Sequence, residues 1–100
     1  MEKNGIEYTF IANVWVYDGP GSWYFVSLPI DFSKEIRENL KSEEEGWGRL
    51  KATAKVGATE WKTAIWFDTK RKTYILPLKL EIRKKEQIIA GQTITIYIWV

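Results

Sequence analysis

Apolar residues along this chain recur mainly at every second position, the period of a strand that is half buried in a sheet. From Tyr8 to Tyr17, the residues Tyr8, Phe10, Ala12, Val14 and Val16 fall on one face. Asp18-Gly19-Pro20-Gly21 then predicts a turn, because Pro cannot donate to a ladder and Gly tolerates positive φ. A second strand is predicted from Trp23 to Leu28, in a hairpin with the first and ended by Pro29. Ser33 is a predicted N-cap, and Phe32, Ile36 and Leu40 line one face of the helix that follows. Glu43-Glu44-Glu45-Gly46 is its polar exit.

The second half repeats the plan. Leu50, Ala52, Ala54 and Val56 alternate with Arg49, Lys51, Thr53 and Lys55, which predicts a strand with one basic face. Gly57-Ala58-Thr59 turns the chain into a strand over Glu60 to Phe67, and Asp68 to Lys72 is a polar loop. A short strand, Thr73 to Leu76, ends at Pro77, and a short helix spans Lys79 to Glu86, with Glu81 and Lys85 at the favourable i, i+4 spacing. After Ala90-Gly91-Gln92, Ile94, Ile96, Ile98 and Val100 alternate along a last strand.

Six strands and two short helices in residues 1–100 predict a mainly β fold in one domain, at the strand spacing of a small barrel or sandwich, and a repeat within the chain favours a small closed six-stranded barrel. The stretches WYFVSLPIDFSKEIRENL and TYILPLKLEIRKKEQI share an order: an aromatic-rich strand, Leu-Pro, then a helix carrying Ile-Arg. Pseudo-repeated halves, about 1–45 and 46–100, closing the barrel around a two-fold axis are the expectation. A barrel closed within one chain leaves few free edges, so a monomer or weak homodimer is expected.

Composition narrows the chemistry. The chain has no Cys and no His, which excludes disulfides, thiolate chemistry and the commonest metal ligands and general base. No nucleophile–base pair and no Gly-rich phosphate loop is visible, so no enzyme, cofactor or metal is expected. MEKNGIEYTF lacks the basic and apolar regions of a secretory signal, and no apolar run suffices for a membrane helix, so the cytoplasm is the expected location. Few Asn and Gln with many Lys, Glu and Ile is a composition associated with thermophiles. Charge is uneven. Residues 1–45 hold four basic residues against nine acidic, and residues 46–100 hold eleven against four. Either the basic half meets an anionic partner or the halves neutralise one another on folding.

The chain resembles a bacterial and archaeal family called domain of unknown function nineteen hundred and five. The resemblance is carried by Gly21, Trp23, Phe25, Val26, Leu28-Pro29 and Ile36-Arg37 in the first half. In the second it is carried by Gly46-Trp47-Gly48, Lys55-Val56-Gly57, Trp61-Lys62-Thr63, Tyr74 to Lys79, Ile82-Arg83-Lys84 and Gly91. It implies a double-split β-barrel, an architecture also used by dimeric regulators and antitoxins. Relatives often precede bacteriocin-protection, OmpD-associated type domains. The family usually has Asp where this chain has Gln92.

Six Trp and the second-half cations are the candidate binding chemistry. Arg49, Lys51 and Lys55 share a strand face, Trp61-Lys62 follows the turn, and Lys79, Arg83 and Lys84 follow the second Leu-Pro. These eight residues are the candidate ligand site; the alternative for the cations is a solvated face. Trp23 and Phe25, next to Leu-Pro, are expected in the core, and Trp15, Trp61 and Trp99 on the surface. The function expected is a non-catalytic ligand-binding or interaction module for a small or anionic ligand. The alternative is a nucleic-acid-binding regulator of the antitoxin-like barrel type.

Overall fold

The computed structural model describes residues 5–21 and 23–100. Seven antiparallel strands and two helices follow one another as β1 (Glu7–Asn13), β2 (Trp15–Val16), β3 (Tyr24–Ser27), α1 (Ile30–Leu40), β4 (Arg49–Val56), β5 (Thr59–Asp68), β6 (Thr73–Pro77), α2 (Leu80–Glu86) and β7 (Thr93–Trp99). A 3-10 turn, Lys41–Glu43, follows α1. The sheet order is β1-β7-β4-β5-β6-β3-β2. The sheet curls into a half-barrel; it is not the closed six-stranded barrel expected.

The reason lies at Val14. The run from Tyr8 to Tyr17 was expected to be one strand, but at Val14 the backbone turns to the Gly91-Gln92 corner. The Val14 N–H donates to the Gln92 carbonyl at 2.8 Å, and the Gly91 N–H donates to the Val14 carbonyl at 2.8 Å. The run is therefore cut in two. β1 pairs with β7 from Glu7–Trp99 to Asn13–Thr93, while β2 pairs with β3 through Trp15–Phe25 and Val16–Tyr24. These pieces, consecutive in the chain, form the two edges of the sheet. Only the β2 part makes the expected hairpin.

One face of the sheet builds the core. Tyr8, Phe10, Val26, Leu28, Leu50, Ala54, Val56, Ile65, Tyr74, Leu76, Ile96 and Ile98 are buried on it, and Ile36 and Ile82 cover it from the helices. Phe32 and Leu40 flank Ile36 on the α1 stripe and pack on the core, as their spacing predicts. The cap differs from expectation: α1 starts four residues early, with Pro29 at the N-cap (φ −55°, ψ 149°) and the Ser33 N–H donating to its carbonyl at 2.9 Å. Ser33 faces inward, fully buried, and its Oγ accepts the Tyr74 backbone N–H at 3.0 Å. A second tie joins this region to the chain that leaves α1. The Tyr74 hydroxyl donates to Glu44, which also pairs with Arg37 at 3.4 Å, and the Arg37 guanidinium stacks 3.9 Å from the Phe67 ring.

The two segments with similar order lie side by side. β3 and β6 are antiparallel neighbours with Val26 opposite Leu76, and the helices begin fifty residues apart, at Ile30 and Leu80. Their Leu-Pro dipeptides do not occupy matching places. Pro29 caps α1, whereas Pro77 is the last residue of β6, opposite Phe25, and Leu78 and Lys79 precede α2. Among the described residues no helix is long and apolar enough to cross a membrane.

Candidate functional site

The outer face of the sheet carries the candidate chemistry, and strand register assembles it. β4 and β5 form a hairpin around Gly57-Ala58, which fixes Arg49 opposite Trp66, Lys51 opposite Ala64 and Thr53 opposite Lys62. On the other side of β4, Thr53 lies opposite Trp99 of β7. Arg49, Lys51, Lys62, Trp66 and Trp99 therefore share one face.

The β5–β6 ladder runs from Asp68–Thr73 to Trp66–Ile75 and stops there. Two residues on is Pro77, which has no N–H to extend it. Leu76 and Pro77 pair instead with β3. A groove of about 650 Å³ lies over this parting, lined by Lys62, Thr63, Ala64 and Trp66 from β5, and by Pro77 and Lys79. Arg49, Lys51 and Thr53 of β4 line it, as do Trp99, Val100 and Trp23. Among the described residues no Asp or Glu side chain lines it.

The cations in this groove are of two kinds. Arg49 and Lys51 both pair with Glu45, Lys51 at 3.5 Å, and the Arg49 guanidinium lies 5.8 Å from the Trp66 ring. Such exposed pairs contribute about 0–1 kcal/mol and exchange readily for another anion. Lys62 and Lys79 have no ion-pair partner among the described residues. Bringing unpaired cations to one concave surface raises the local potential for an anion.

Trp23 was expected in the core and is 57% exposed instead. It stacks on Phe25 (centroids 6.3 Å apart, planes at 12°), and Phe25 lies 5.0 Å from Trp15. The Trp15 indole N–H donates to Ser27 Oγ at 3.0 Å, and Arg71 caps the ring at 4.1 Å. Gly21 lies beside it at φ +85°, where a Cβ would sit 3.1 Å from the indole nitrogen of Trp23, a tight contact that glycine avoids. The indole is thus exposed and yet held in place.

Of the expected site residues, Arg49, Lys51, Lys62 and Lys79 come together in the groove. Arg83 lines an adjoining groove of about 310 Å³ with Tyr24, Leu78 and Leu80, its guanidinium 3.8 Å from the Tyr24 ring and its Nε–H donating to the Leu78 carbonyl at 3.0 Å. Lys55 lies farther along β4, its ammonium 5.8 Å from the Tyr97 ring. Lys84 is exposed in the last turn of α2 and lines neither groove. Trp61 is not a surface residue: it lies opposite Ala54, on the core face, half buried, with its indole N–H buried and without an acceptor among the described residues. Sequence reasoning missed Trp23, Trp66 and Pro77 as lining residues. Trp47, 92% exposed at φ +66°, stands outside both grooves.

No curated protein matches the chain. The family model described as Domain of unknown function (DUF1905) matches residues 10–98, nearly the whole length, and the chain belongs to that family.

Proposed function

We propose that this protein is a non-catalytic binding module whose outer groove takes a small anionic ligand with a flat apolar part. One observation carries this reading: Lys62 and Lys79 face the same groove as Trp23 and Trp66, and among the described residues they have no ion-pair partner and the lining has no acidic side chain. The two lysines and the Glu45-paired Arg49 and Lys51 supply charge, Thr53 supplies a hydroxyl, and the indoles supply stacking surface. The volume suits a ligand of nucleotide size lying along an open groove.

Thermal shift with adenosine monophosphate, adenosine and inorganic phosphate, each alone, tests this. The expected order of stabilisation is monophosphate first, with each fragment weaker. Binding at one hundred times Kd adds about 2.7 kcal/mol, a readily visible shift. Stabilisation by neither the nucleotide nor phosphate, with indole fluorescence also unchanged, would leave the groove without an anionic ligand of this class.

A further inference from the structure

The two grooves share a wall. Trp23, Pro77 and Lys79 line both, so the larger groove holding Lys62 and the smaller one holding Arg83 are neighbours across a single ridge. We infer that they are consecutive subsites for one extended polyanion, a single-stranded nucleic acid, with a base stacked on Trp23 at the ridge. This inference rests on the groove being an anion site.

Three observations favour that occupant. The unengaged charge is spread, not gathered: Lys62 on one side, Lys79 on the ridge and Arg83 beyond it, an arrangement that serves successive phosphates better than one. Arg83 is held by Tyr24 and the Leu78 carbonyl through the guanidinium face and Nε, which leaves its terminal nitrogens for a phosphate. Trp23 is an exposed platform fixed in advance by Phe25 and Gly21, so stacking a base on it costs little ordering entropy. An acidic peptide would use the cations but would have no use for the indole. A duplex hides the base faces that the indole would stack on.

The test is fluorescence polarisation with a labelled oligothymidylate of about ten nucleotides, a length within the range such sites occupy. Three unpaired cations predict a log–log salt slope near −2, so affinity should fall about twenty-fold between roughly 50 and 200 mM salt. Trp23→Ala should weaken binding about ten-fold. Arg83→Gln should weaken it and flatten the slope by about 0.7, while leaving binding of adenosine monophosphate in the larger groove unchanged. Lys79→Ala, on the exposed ridge, provides a second variant should Arg83→Gln perturb α2, and circular dichroism checks each fold. The inference is overturned if the oligonucleotide binds no tighter than the mononucleotide, or if Trp23→Ala has no effect. It is likewise overturned if a duplex or a polyglutamate peptide binds as well. The mononucleotide binding in the groove would survive each of these results, and its absence would sink the proposed function separately.

Discussion

Ser33→Ala isolates one buried hydrogen bond. The side chain is fully buried in α1, and its Oγ accepts the backbone N–H of Tyr74, itself fully buried in β6. Alanine fits the space and removes the acceptor, leaving a buried N–H unpaired at a cost of about 1–3 kcal/mol. Alanine's better helix propensity returns up to about 0.5 kcal/mol. The net expectation is a loss of about 0.5–2.5 kcal/mol, or roughly 2–20 °C in Tm for a domain of this size. Urea denaturation gives the first number and calorimetry the second. Ser42→Ala, at an exposed position in the 3-10 turn, is the control and should stay within about 0.5 kcal/mol of the parent. Amide exchange reads the cause directly, since Tyr74 should lose protection beyond the global loss. A Ser33→Ala protein of parental stability, with Tyr74 still protected, would refute the assignment of that hydroxyl as the helix-to-sheet tie.

Other expectations follow from the same structure. Leu28→Ala and Leu76→Ala each empty a fully buried position and should cost about 2–5 kcal/mol by urea denaturation. Burial, and then the hydrogen bond to the Glu35 carboxylate, pushes the Tyr8 hydroxyl up to about 12, and burial and Glu44 raise Tyr74 in the same direction. An unfolded tyrosine ionises near 10, so the native state favours the protonated form. The stability this gives is fully present below about pH 10 and is lost as pH rises toward about 12. Urea midpoints across that window should fall, and Tyr8→Phe should make the fall shallower. Because the sheet is open at β1, where Ile11 is exposed, light scattering should show a weak dimer that dissociates on dilution; a mass of one chain throughout the micromolar range would show that this edge does not pair.

Period-two patterning carried most of the fold, because each core face is continuous and a slip of one residue would expose it. It also held more than was drawn from it. With Leu28 in the core, the same period places Val26 with it and sends Phe25 and Trp23 outward; the nearby Leu-Pro suggested core packing, but alternation decides. Trp61 is a similar case: a two-residue hairpin around Gly57-Ala58 sets Trp61 opposite Ala54 and Lys62 opposite Thr53, so register sends the lysine, not the indole, to the groove face. Other features had no local signal. The break at Val14 depends on backbone hydrogen bonds to a turn nearly eighty residues away, in a stretch whose own pattern reads as one strand. The meeting of Lys62 with Lys79 depends on where β5 parts from β6, which is tertiary geometry.

The central claim is that the parting of β5 and β6 makes an anion-binding groove, and an NMR titration of the nitrogen-labelled protein with adenosine monophosphate tests it most directly. The account predicts saturable shifts at Thr53, Lys62, Ala64, Trp66 and Lys79 and at the indole of Trp23, reduced at least ten-fold in affinity by Lys62→Ala with Lys79→Ala. Shifts confined to the Trp47 loop or to the Lys84 turn, or the same affinity in the double variant, would contradict it.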